Sequence, residues 1–135
     1  MKRYTIGLIT LLLIVGCSKP EPINYETTLV KRDGVYYTKD TNKPYSGPVF
    51  SLWENGQKSS EGTFNDGKRV GLWTSWLQNG KESFDLIYKD GNPWDGLKLW
   101  YYTSSGRKSS VKTYEDGKVI YEECWNIYGY ETYCN

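Results

Sequence analysis

The chain contains no histidine in 135 residues. That absence removes the commonest general base, every Ser–His or Cys–His arrangement, and the commonest metal ligand. The phosphate-cradling signatures G-x-x-x-x-G-K-S/T and G-x-G-x-x-G are missing as well, so the glycines serve turns rather than a nucleotide. Cysteine is scarce, at three residues, and without C-x-x-C spacing a redox-active pair is the weaker reading. Charge of one sign is also lacking, with 17 Lys and Arg against 16 Asp and Glu. Setting aside Lys2 and Arg3, in a segment read below as a leader, leaves 15 against 16 and a net charge near −1. Such a balance gives no electrostatic footprint for nucleic acid. Lys31-Arg32, Lys68-Arg69 and Arg107-Lys108 are short basic pairs beside turns, read as solvated tips, with phospholipid headgroups as the sharper alternative. Carboxylates could still do acid–base work. Glu122 and Glu123, however, are adjacent and face opposite ways on a strand, and a turn role explains Asp66, Asp90 and Asp116 without calcium. The expectation is a protein that is not an enzyme and uses no metal or cofactor.

The first residues read as an address. Lys2 and Arg3 precede an apolar run from Ile6 to Val15, too short to span a bilayer comfortably and suited to a secretory signal. Its end, Ile14-Val15-Gly16-Cys17, resembles a bacterial lipobox. The resemblance implies a signal peptide over residues 1–16, cleavage before Cys17, acylation of that cysteine, and a lipoprotein held at the cell membrane or outer membrane. An ordinary signal peptide with an incidental Cys17 is the blander alternative, and Ser18 leaves the choice between membranes open. Residues 17–25, with two prolines, read as a lipidated tether. The two remaining cysteines, Cys124 and Cys134, flank an expected turn at Gly129. In an exported protein they are expected to form a structural disulfide across a hairpin.

From Gly47 to Lys118 the chain repeats itself three times. Gly47, Gly71 and Gly96 open the copies, 24 and 25 residues apart, and in each copy 11 residues separate the two turn glycines: Gly56 and Gly67, Gly80 and Gly91, Gly106 and Gly117. A period this regular is a repeat architecture. Asn55-Gly56 and Asn79-Gly80 are strong hairpin signals, with Ser105-Gly106 in the same place. Asp66-Gly67, Asp90-Gly91 and Asp116-Gly117 make the second kind of turn. Between turns lie six- to eight-residue segments rich in Tyr, Trp, Val and Thr, which suit pleated strands. The fold class expected is therefore all-β, an antiparallel meander with one hairpin per repeat. Residues 26–46 are expected to form an N-terminal cap hairpin and loop, with a first strand near Thr27 to Val30 turning at Asp33-Gly34. Residues 119–135 are expected to form a C-terminal cap hairpin.

The pattern G-x-W-x-x-W/Y-x-x-N-G-x-K, followed by an aromatic, two residues and Gly, resembles the bacterial variant of the MORN repeat. The match covers Gly47 to Gly117, with Leu29 to Gly47 resembling the usual lead-in. Departures lie in the third copy, with Lys98 where the second has Trp73 and Ser105 where the others have Asn, and in the tail. The resemblance implies an elongated, twisted single-layer sheet without catalysis. Many members of this YwqK-like family carry the label of an antitoxin, which would make the chain an inhibitor that binds a toxin protein.

Aromatics are what the sequence has in abundance: 6 Trp, 13 Tyr and 3 Phe. In a single sheet they must stack along its own faces to exclude water. Counting from the opening glycines, Phe50, Leu52, Thr74, Trp76, Leu99 and Tyr101 share one face and alternate with Val49, Trp73 and Lys98. Either these ladders are simply core, or some of Trp53, Trp73, Trp76, Trp100, Tyr101 and Tyr102 form an exposed patch for a partner. The functional expectation is a lipid-anchored, noncatalytic envelope protein that binds or spaces other proteins. The alternatives are an antitoxin, or a glycan or peptidoglycan binder using tryptophan faces.

Overall fold

The structure, a computed structural model, describes residues 19–102 and 104–134. The expected signal peptide and the lipid-attachment residue Cys17 lie outside the described residues. Within them the protein is nearly all β. A nine-stranded sheet carries the repeats: β4 (Gly47–Leu52), β5 (Lys58–Asn65), β6 (Lys68–Trp76), β7 (Glu82–Lys89), β8 (Asn92–Tyr101), β9 (Lys108–Glu115) and β10 (Lys118–Trp125) follow one another in space as in sequence, each antiparallel to the last. The short β11 (Glu131–Thr132) ends one margin, and β1 (Ile23–Asn24) lies parallel to β4 at the other. A separate hairpin of β2 (Leu29–Arg32) and β3 (Val35–Thr38) follows the single-turn helix α1 (Tyr25–Thr28). The expected meander of hairpins is present.

The turns differ from expectation in an instructive way. At Asp33-Gly34, Asp66-Gly67, Asp90-Gly91 and Asp116-Gly117 both residues have positive φ, which defines the two-residue type I′ hairpin turn matching strand twist. The Asn-Gly sites form longer loops. Asn55 and Asn79 do not enter the left-handed region, and only the following glycine does. The Asn side chains act locally instead, with Asn55 Oδ1 accepting from the Gln57 amide and Asn79 Oδ1 from the Lys81 amide, both at 3.0 Å. An Asx-type bond to the backbone competes with the I′ conformation and wins here.

Each copy is closed by the same backbone bond. The amides of Gly67, Gly91 and Gly117 donate to the carbonyls of Tyr45, Arg69 and Trp94 at 2.8, 3.0 and 2.9 Å. Each acceptor lies two residues before an opening glycine, so each of these three Asp-Gly turns is tied to the chain entering its own repeat. Ser46 Oγ and Asp95 Oδ1 add a second tie, accepting from the amides of Asp66 and Asp116 at 2.9 Å. Register slips next to these entries, between Glu61 and Thr63, Ile87 and Tyr88, and Val119 and Tyr121, absorb the surplus residues as bulges.

The N-terminal segment is more than a tether. Ile23 and Asn24 pair with Val49 and Phe50, and Tyr25 is buried, so the tether expected to reach residue 25 ends before Ile23. Thr27 and Thr28, expected in the first strand, belong to α1, whose start is capped by Asn24 Oδ1 accepting from the Glu26 amide at 3.1 Å. This helix and the β2–β3 hairpin lie against one face of the sheet, which we term the inner face. Tyr25 meets Phe64 and Trp73 edge-on at 5.8 and 6.0 Å, and Tyr36 stacks on Phe64 at 4.5 Å. Leu29, Val49, Leu86 and Tyr88 complete the core. Each such large apolar side chain, fully buried, stabilises by roughly 1.5–3 kcal/mol. The single-layer sheet implied by the MORN resemblance thus has its inner face partly covered by its own N-terminal segment.

Candidate functional site

The strand pairings align side chains into rows across the sheet. One inner-face row runs Ser51, Ser60, Ser75, Phe84, Lys98, Lys112, Glu122. Its first half lies under α1 and is polar but satisfied. Tyr25 Oη lies 2.9 Å from Ser60 Oγ, Ser51 Oγ lies 2.6 and 2.7 Å from Ser59 Oγ and Ser60 Oγ, and Ser75 Oγ donates to the Ser59 carbonyl at 2.9 Å. A cleft of about 280 Å³ opens here, with Tyr25, Glu26, Ser60, Arg69, Ser75 and Phe84 among its walls.

The second half of the row is cationic. Lys98 and Lys112 are directly opposed on β8 and β9, an arrangement of like charges that costs energy unless compensated. Lys112 has its compensation, an ion pair with Glu122 at 2.9 Å. Lys98 rests 4.6 Å from the centre of the Trp100 ring. Its pKa is lowered, first by burial and then by the charges of Arg69 and Lys112. Arg69 lies over Trp73 and Tyr88 at 4.3 and 5.3 Å and donates to Tyr88 Oη at 3.2 Å. Among the described residues, neither Arg69 nor Lys98 is in an ion pair with a carboxylate.

The six aromatics singled out from the sequence do not form one patch. Trp73 is fully buried under the N-terminal segment. Trp53, Trp76, Trp100, Tyr101 and Tyr102 are half-buried. Strand alternation sends Trp73 and Trp100 to the inner face and Trp76 and Tyr101 to the other, the outer face. Three of them spend their polar atoms on the neighbouring repeat: Trp53 Nε1 donates to the Trp76 carbonyl at 2.9 Å, Tyr102 Oη to the Trp125 carbonyl at 2.8 Å, and Tyr101 Oη to the Glu82 carbonyl at 3.3 Å. They are rungs between repeats. Sequence reasoning favoured them because size was the only visible signal.

Several of the open positions on the outer face are aliphatic, with the exposed Asp85 among them. Leu72 and Ile87 are a directly opposed pair on β6 and β7, 59% and 45% exposed. Leu97, on β8, stands opposite Asp85, two residues from Ile87, and is 40% exposed. Strand alternation was the available signal, since these residues share a face with Thr74 and Asp85, but aliphatic side chains drew less attention than tryptophans.

Cys124 and Cys134 form a disulfide, Cα atoms 5.3 Å apart. Glu122 is close to both sulfurs; disulfide sulfurs are poor metal ligands, because it is the thiolate that binds. Among the described residues no helix is long and apolar enough to cross a membrane.

No family model matches the chain, no curated protein matches it, and no solved structure matches it.

Proposed function

We propose that this protein is a noncatalytic, lipid-anchored component of a bacterial cell envelope whose β-repeat sheet binds another protein through its outer face. The observation that carries the reading is the exposed Leu72–Ile87 pair with Leu97 beside it, a run of large apolar side chains on the sheet face opposite the buried core. Large apolar side chains left open close together in a small domain are a mark of recognition, and the exposed Asp85 opposite Leu97 gives this surface a charged group as well. The lipobox-like Ile14-Val15-Gly16-Cys17 supports the anchor, and the missing histidine supports a role without acid–base chemistry. In-cell cross-linking from position 72 tests the contact. A photoreactive residue replacing Leu72 should yield a discrete adduct that Ile87→Asp abolishes, while the same probe at Asn55, in a polar loop, should not. Absence of any adduct at 72 would refute it. The anchor is tested by mass spectrometry of the mature N-terminus, where an acylated Cys17 is expected and an intact, cytosolic Met1 would instead favour a toxin-binding inhibitor.

A second reading, an acidic-glycan binder, draws on the inner face. Among the described residues Arg69 and Lys98 have no carboxylate partner there, and they lie on the same face as the half-buried Phe84 and Trp100, aromatic rings of the kind that stack on sugars. Retention on purified cell-wall material, lost in Lys98→Ala, would favour this reading over the first.

A further inference from the structure

Arg69 is anchored on aromatic rings with most of its donors unspent. It lies over Trp73 and Tyr88 and makes one side-chain hydrogen bond among the described residues, to Tyr88 Oη. A guanidinium carries five N–H donors. No buried side-chain nitrogen or oxygen among the described residues lacks a partner, so the donors that Arg69 does not spend on Tyr88 reach solvent.

Arg69 stands in the walls of two clefts. The one under α1 is also walled by Glu26 and Glu54. The other, of about 290 Å³, lies between the β2–β3 hairpin and the ends of β6, β7 and β8 nearest the Asp-Gly turns. Its walls include Lys31, Tyr36, Phe64, Arg69, Tyr88 and Pro93, and no carboxylate. Asp33 and Asp90, next to the wall glycines Gly34 and Gly91, are exposed in their turns and form no part of it. Lys31 reaches in from the hairpin, with Nζ 5.6 Å from the centre of the Tyr36 ring. Neither cation is in an ion pair among the described residues. The positive field extends to Lys98, whose pKa is lowered by burial first and by Arg69 next.

We propose that this cleft binds an oxyanion, the phosphate or carboxylate carried on a sugar ring, between Arg69 of the sheet and Lys31 of the hairpin. The guanidinium fork meets two oxygens at once, and the ammonium adds a point charge from the facing side. Tyr88 Oη, which accepts from Arg69, keeps its own proton to donate to the ligand. The volume is near the lower end for ligand pockets, roughly 300 Å³, so it takes more than the charged group. Tyr36, Phe64 and Pro93 supply apolar wall for the ring. The site rests on the acidic-ligand reading of the inner face given above and gives the charged group its place. A bound oxyanion also ties the hairpin to the sheet, since one cation comes from each.

Nitrogen–proton NMR of the full-length chain in neutral detergent micelles tests the site. Inorganic phosphate, glucose 6-phosphate and glucuronate are the probes, each against sodium chloride of matched ionic strength. At least one should give saturable shifts at Arg69 Nε–H and slow exchange of the Tyr36 amide severalfold, because opening the hairpin then costs the bound ligand as well. The order of the two sugars tells a phosphate source from a carboxylate one. Lys31→Gln, at an exposed position where folding is not at stake, should weaken binding at least about threefold. Arg69→Lys, which keeps the charge and loses the fork, should weaken it at least about tenfold. Lys108→Gln, outside the cleft, should bind like the unaltered chain. Loss of retention on cell-wall material with these probes still bound would sink the glycan reading and leave the site. Shifts no larger than those with chloride for all three probes, Lys31 and Arg69 variants that bind like the unaltered chain, or an equal loss in Lys108→Gln would each overturn the proposal.

Discussion

The Trp73 indole lies directly against the backbone of Gly62. A Cβ placed on Gly62 would come within 2.2 Å of the ring, and Trp73 Nε1 donates to the carbonyl of the adjacent Thr63 at 3.0 Å. The largest buried side chain in the sheet therefore depends on the missing side chain of its cross-strand neighbour.

Gly62→Ala is expected to destabilise by about 1–3 kcal/mol or more through overpacking, although an alanine is at ease in a strand. Trp73→Ala should cost about 3–5 kcal/mol. Gly62→Ala made on a Trp73→Leu background should cost less than on the native one, since the clash is then relieved. Denaturant titrations of the four proteins check this, and strict additivity would contradict the contact.

Glycines in equivalent turns should respond unequally. A Cβ on Gly67 meets Val35 Cγ1 at 2.4 Å and the Tyr36 carbonyl at 2.5 Å, whereas on Gly91 the nearest atom is 3.7 Å away. Gly91→Ala should incur only the cost of a left-handed residue, roughly 1–2 kcal/mol. Gly67→Ala should cost more and release the β2–β3 hairpin. Thermal melts rank the pair, and hydrogen exchange at Tyr36, whose amide donates to the Gly67 carbonyl at 2.9 Å, reports the release.

Alkaline pH should weaken the fold from its N-terminal side. Burial, the largest cause, raises the pKa of Tyr36 above its ordinary 10.0, and burial does the same for Tyr45. An unfolded chain then loses these protons before the folded one does, so their contribution is complete below pH of about 10 and declines as pH climbs toward the folded values. Tyr36→Phe keeps the ring on Phe64 and should flatten the decline in a pH series of melting temperatures. An unchanged slope would argue that Tyr36 ionises freely.

Loss of the Cys124–Cys134 bond should act locally. The cross-linked residues are 10 apart, so loop-closure entropy sets the ceiling at about 3 kcal/mol. They tie down a tail in which Tyr130 and Tyr133 are 72% and 94% exposed. Replacing both cysteines by serine should speed hydrogen exchange in β10 and β11 far more than it lowers the main melting transition. A large drop in the main transition would mean that the whole sheet unfolds as one unit with its last hairpin.

The hairpins, their spacing and the disulfide were legible in the sequence because each rests on a local rule: glycine in turns, alternation in strands, cysteines flanking a bend. The burial of Trp73 and Tyr25 was not. It depends on residues 25–38 lying over β5 and β6, a contact between segments far apart in the chain that no local period encodes. The same contact decided which half of the alternation became core, placing Val49 and Trp73 inside and leaving Leu72 and Ile87 open. Asn55 and Asn79 misled for a different reason, since the side chain that suits a left-handed residue is also able to bond the next backbone amide. The binding-site expectation was drawn to large aromatics, yet Trp53 and Tyr102 turned out to fasten one repeat to the next.

From β4 to β10 spatial order is chain order, and the packed cluster of Tyr25, Phe64, Trp73 and Leu86 is gathered in the earlier part. A polypeptide emerging N-terminus first, from a ribosome or a translocation pore, can therefore bury its main cluster before the last hairpin has been delivered. Later strands then add singly to a template already formed, with short loops to close at every step. The covalent clasp lies in the part of the chain delivered last, where Tyr130 and Tyr133 stand open to solvent.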